Sequence, residues 1–127
     1  MTRVFKTRHF TRWMRKTELT DRSLCKAVVE MSQGLIDADL GGGVLKKRIG
    51  VAGRSKRGDV RTLVATNKGN RWFFVFGFEK NDRPNITDDE LEALQDLAEQ
   101  LLARTGRQLD EAVVDGSLQE ICHEHKD

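Results

Sequence analysis

Apolar residues recur along the chain with two different periods, and the two periods divide it into helical and extended stretches. From His9 to Lys16, Phe10, Trp13 and Met14 fall at i, i+3 and i+4, the spacing of one helix face. A second helix is predicted from a cap at Thr20 or Asp21, with Leu24, Cys25, Val28 and Val29 as its stripe and Gly34 as its close. Thr87-Asp88-Asp89-Glu90 has the form of a capping box. Leu91, Leu94, Leu97, Ala98, Leu101 and Leu102 continue from it on one helical face, and Gly106 reads as the stop. Leu109 to Ile121 reads as one or two short helices, and the residues after it as a loose tail.

Extended segments show the other period. Arg3-Val4-Phe5 reads as a short first strand and Leu35 to Gly43 as a loop with Gly41-Gly42-Gly43 as its break. Val44 to Val51 and Val60 to Thr66 read as strands, the second with Val60, Thr62, Val64 and Thr66 on one face and Arg61, Leu63 and Ala65 on the other. Asn67-Lys68-Gly69-Asn70 is a turn signal. Trp72 to Phe78 is the most apolar run and holds five of the eight Phe and Trp residues, as a central strand buried on both faces would. Helices, then an antiparallel meander, then a helix predict an α+β domain with the helices on one face of the sheet.

Composition narrows the class. A chain of 127 residues with 38% hydrophobic content suits one small domain. The body is expected at residues 1–104, with 105–127 as a short helical acidic extension, in the same domain or loosely attached. No apolar run approaches a membrane span, and the basic N-terminus lacks the apolar stretch of a signal peptide. Cys25 and Cys122 suggest no disulfide framework, which points to a reducing cytoplasm.

Charge changes the picture most. The net charge of +2 conceals a balance of +11 over residues 1–80 and −9 over residues 81–127. Residues 46–61 alone carry seven Lys or Arg against one Asp. A cationic strand and loop on a rigid sheet suit a polyanion, most commonly nucleic acid, although solvated charges protecting a sheet edge have the same composition. Alternation puts Lys46 and Arg48 on one side, beside Arg61 of the next strand, and Leu45, Lys47 and Ile49 on the other. Lys80, Asn81 and Arg83 leave the aromatic strand where they can close the same surface. The acidic last third is expected to shield the basic face or to meet a partner.

Other chemistries find little support. Cys122, His123 and His125 lack the second ligand pair of a structural zinc site, so no metal or cofactor is expected. His9, near a helix start, reads as solvated. The triple glycine lacks the Gly-Lys-Ser/Thr ending of a phosphate loop, and the chain has no tyrosine.

Three segments carry a family likeness: Leu40 to Ile49, Arg61 to Asn67, and Trp72 to Phe78 followed by Glu79-Lys80-Asn81. With the Gly58-x-x-Arg61 approach to a strand, they resemble the RelE/HigB toxins of bacterial type II toxin–antitoxin modules. The resemblance implies a RelE-like antiparallel sheet with two N-terminal helices and a C-terminal helix packed on it. It implies a ribosome-dependent, metal-free mRNA endonuclease that inhibits translation, held in check by a cognate antitoxin, typically a helix-turn-helix protein. Lys46, Arg48, Arg61 and Lys80 match the catalytic positions. Lys47, Arg54, Lys56, Arg57, Asn81 and Arg83 would hold RNA. Val60 replaces a common aromatic, and the missing tyrosine leaves base stacking or proton transfer to other groups, with Lys46 or Lys80 the candidates for the proton. A gyrase-directed toxin of the ParE group and a non-catalytic nucleic-acid-binding protein on the same fold are the competing readings.

Overall fold

A computed structural model describes residues 1–51 and 59–123. The elements in order are β1 (Arg3–Thr7), α1 (Arg8–Met14), α2 (Asp21–Ser32), β2 (Ala38–Gly41), β3 (Val44–Ile49), β4 (Val60–Thr66), β5 (Arg71–Glu79), α3 (Asp88–Leu102), α4 (Gly106–Asp115) and β6 (Leu118–Ile121). Six strands form one sheet in the order β2-β3-β4-β5-β1-β6. β1 runs parallel to β5, and every other neighbouring pair is antiparallel. The α+β class and RelE-like arrangement expected from the sequence are present.

Helices cover both faces of the sheet rather than the one face expected. Trp72, Phe74, Val64 and Leu45 pack with Phe10 of α1 and Leu24 and Val28 of α2. Phe5, Phe73, Leu63 and Ala65 pack with Leu94 and Ala98 of α3 and Leu109 of α4. Central strands apolar on both sides need two covers, because neither face can remain in water. Each fully buried Phe or Leu contributes roughly 1.5–3 kcal/mol from removed apolar surface.

Each helix starts at a threonine that caps it: Thr7, Thr20, Thr87 and Thr105 accept from the backbone N–H of the third residue on. Thr105 explains why Gly106 opens α4 instead of stopping α3, which ends at Leu102. The α2 stripe is Leu24, Ala27, Val28 and Met31, and Val29 is exposed.

Three further expectations are corrected. The predicted loop from Leu35 to Gly43 contains β2, joined to β3 by Gly42 and Gly43, whose φ of 62° and 84° suit glycine. Leu109 to Ile121 is part helix and part strand, with β6 paired to β1 along Val4–Ile121 to Thr7–Leu118. Cys25 and Cys122 are joined in a disulfide that ties α2 to the residue after β6. No helix among the described residues is long and apolar enough to cross a membrane.

Candidate functional site

Strand pairing builds the site row by row. On the α3 side, Val44 pairs with Ala65, Lys46 with Leu63, and Arg48 with Arg61. Arg61 in turn pairs with Phe78, and Leu63 with Phe76. Paired residues point to the same face, with strands about 4.8 Å apart. Lys46, Arg48 and Arg61 therefore share a face with Phe76 and Phe78. Lys46 and Arg61 are half-buried and Arg48 is exposed.

A β-bulge makes this face. The β4–β5 register shifts so that Leu63 pairs with Phe76 but Val64 pairs with Phe74, leaving Val75 as the extra residue. Strict alternation would point Phe76 and Phe78 away from Arg61 with Trp72 and Phe74. The bulge turns both aromatic rings toward the cations and sends Gly77 to the α1 face. There the Trp13 indole lies so close that a Cβ at position 77 would collide with it. Glycine is the residue that lets α1 seat against the end of β5.

Around the aromatic pair lie two groups from distant segments. The His9 ring stacks on Phe76, with centroids 5.5 Å apart and planes 7° from parallel. The Arg83 guanidinium lies 5.9 Å from the Phe76 centroid and 5.8 Å from that of Phe78. Arg83 is also clamped by Glu90, donating from Nη1 to Oε2 at 3.0 Å and from Nη2 to Oε1, and it donates from Nε to Asn85 O at 3.1 Å. The hydrogen bond from Arg83 pulls the Glu90 carboxyl down to about 2, aided by the Thr87 backbone N–H. Arg83 thus stiffens the edge of the aromatic platform, with a donor on each of its three nitrogens taken by a protein oxygen.

The remaining expected residues divide. Lys80 and Asn81 are exposed just past the end of β5. Lys47 is on the opposite face, buried, donating from Nζ to Leu35 O at 2.9 Å and pairing with Glu30 of α2 at 3.0 Å. That side chain joins helix to sheet, and its expected place on the RNA surface is corrected. Arg54, Lys56 and Arg57 lie outside the described residues. Two acids temper the cluster: Asp59 lies 3.7 Å from Arg48 Nε, and Asp37 accepts from the Arg48 backbone N–H.

Sequence reasoning missed His9 and treated Phe76 only as core. The residue types were visible, but their meeting depends on the bulge and on the seating of α1, for which one sequence carries no signal.

The arrangement offers adjacent cations for phosphate oxygens and an accessible aromatic edge for a base. Among families, the model of the RelE toxin of RelE / RelB toxin-antitoxin systems matches residues 2–121. Among curated proteins, none matches the chain.

Proposed function

The chain belongs to the RelE toxin family, and from that premise we propose that it is a ribosome-dependent mRNA endonuclease that arrests translation without a metal. The family pairs its toxins with a cognate antitoxin, so this chain has one. The helix-turn-helix character of that antitoxin, and cytoplasmic action on ribosome-bound message, belong to the proposal.

One observation carries the reading: Lys46, Arg48 and Arg61 share a sheet face with Phe76 and Phe78. In the proposed reaction a ribose 2′-oxygen attacks the adjacent phosphorus as the bond from phosphorus to the 5′-oxygen breaks. The products are a 2′,3′-cyclic phosphate and a free 5′-hydroxyl, and the 2′-proton is balanced by one delivered to the departing oxygen. Arg61 and Arg48 meet the negative charge that grows on the phosphoryl oxygens, where preorganised donors are typically worth 10²–10³ in rate. Lys46 and Lys80 hold phosphate oxygens on either side and are the candidates for moving the proton. Phe76, flanked by His9, supplies the base-stacking surface that Val60 does not, and it holds the sugar in line for attack. Asn81 contacts the strand as it leaves.

Induction of the chain alone is expected to stop growth, and the Arg61→Ala variant, made at the same level, is expected to permit it. Unimpaired growth with the parent chain would remove the toxin activity. A ParE-like action would instead appear as intact message with inhibited supercoiling.

A further inference from the structure

A second cationic surface lies away from the Arg48–Arg61 row. Between α1 and the edge formed by β6 and the end of α4 is a cleft of about 670 Å³. Arg8 and Arg12 line it from α1, Arg15 from the C-cap of that helix, and His123 from the far side. Among the described residues one acid, Glu120, lines it, and that carboxylate is already held by Arg3, at 2.9 Å from Nε and 2.8 Å from Nη2. Arg8 donates from Nε to Gly116 O at 3.3 Å. Arg12 and Arg15 are exposed, and their side chains make no hydrogen bond or ion pair with another described residue. Thr11, next to Arg12 on the same lining, has its hydroxyl buried with no hydrogen-bond partner among the described residues.

Arg8, Arg12 and Arg15 share one helix face. Asp115 offsets part of the Arg8 charge, but Arg12 and Arg15 have no carboxylate partner among the described residues, and the three repel one another at a cost that a bound anion would remove. Their helix positions are separated along the axis by about 6 Å and about 4.5 Å. That is a row of planar donors suited to consecutive phosphates rather than to one isolated ion. The row sits on the helix that also carries His9, whose ring stacks on Phe76 at the edge of the candidate site. We propose that this cleft is a second RNA site, in which Arg12 and Arg15 grip the phosphodiester backbone of a strand running past α1. The RNA identity of the ligand rests on the proposed function. The cleft's preference for a phosphate chain over an acidic protein segment is what the experiment decides.

The full chain carrying Arg61→Ala, so that no cleavage intervenes, is titrated with a labelled 12-nucleotide single-stranded RNA and with a 12-residue polyglutamate at several salt concentrations. Adding Arg12→Ala and Arg15→Ala together is expected to weaken RNA binding about tenfold. The slope of log affinity against log salt should fall by about 1.4, at roughly 0.7 per phosphate released from a single strand. Both side chains are exposed and without a partner among the described residues, so an unchanged melting temperature confirms the fold. Unchanged RNA affinity and slope would overturn the proposal, and so would a loss confined to polyglutamate. If the parent chain leaves ribosome-bound message uncut while the arginine variants still lose RNA affinity, the nuclease reading fails and this site stands.

Discussion

Lys46, Lys47 and Arg48 are consecutive cations with different fates, and strand alternation is the cause. Lys46 and Arg48 face Arg61's side of the sheet, while Lys47 turns under α2 to Glu30 and Leu35 O. Lys47→Met is expected to lower stability by about 1–2 kcal/mol, because Glu30 and the Leu35 carbonyl lose a charged donor. A urea titration checks the loss, and message cleavage by the folded variant should match the parent. The same distinction separates Arg83 from Lys80. Both are cations past β5, but Arg83 is committed to Glu90 and to the rings of Phe76 and Phe78. An Arg83 substitution should act by loosening the platform rather than by removing a phosphate contact.

At the scale of elements, the disulfide and the bulge are what an inspection of periodicity did not foresee. Cys25 and Cys122 are 97 residues apart, and nothing local couples them. They meet because β6 closes the sheet edge beside β1, close to α2. Cross-linking a loop of that length stabilises by about 4–5 kcal/mol in the chain-entropy account. Reduction, or Cys25→Ser, is therefore expected to lower the unfolding free energy from a urea titration by that much, with the midpoint falling in proportion. An unchanged midpoint would show that packing of β6 alone holds the edge. On the proposed cytoplasmic action, a thiol pool would favour the open pair, and the reduced protein would be the less stable form. Hydrophobic alternation did reveal β3, β4 and the core of β5, since each buries a continuous apolar face. β2 and β6 escaped because four-residue edge strands carry too few side chains to display a period. Lys46, Arg48 and Arg61 were legible as one surface because β3 and β4 pair without a register shift. Phe76 was not, because the bulge reverses its face.

For the whole molecule, the excess of acid after residue 80 is partly spent on the basic body. Arg3 of β1 pairs with Glu120 at 2.8 Å and Asp110 at 2.7 Å, and Arg83 pairs with Glu90 at the start of α3. These contacts tie the C-terminal elements to the sheet and give the fold a definite acid response. Arg3 pulls the Glu120 carboxyl below its usual range, and Arg83 draws Glu90 from 4.5 to about 2. Both are more acidic folded than unfolded, so their stabilisation is complete above about 4.5 and is lost as pH falls toward 2. Melting temperature should decline through that window, and more shallowly in Glu120→Gln. An equal decline in both proteins would assign the acid response elsewhere. The Arg83–Glu90 pair is half-buried and partly screened by water, so its share should shrink further in salt.

On the proposed function, the face carrying Lys46, Arg48 and Arg61 cuts ribosome-bound message. Primer extension on translated mRNA tests it directly, with the parent chain compared against Arg61→Ala. New 5′ ends within the translated region are expected for the parent chain, and about a hundredfold fewer for the variant. Intact message with the parent chain, or undiminished cutting by Arg61→Ala, would contradict it.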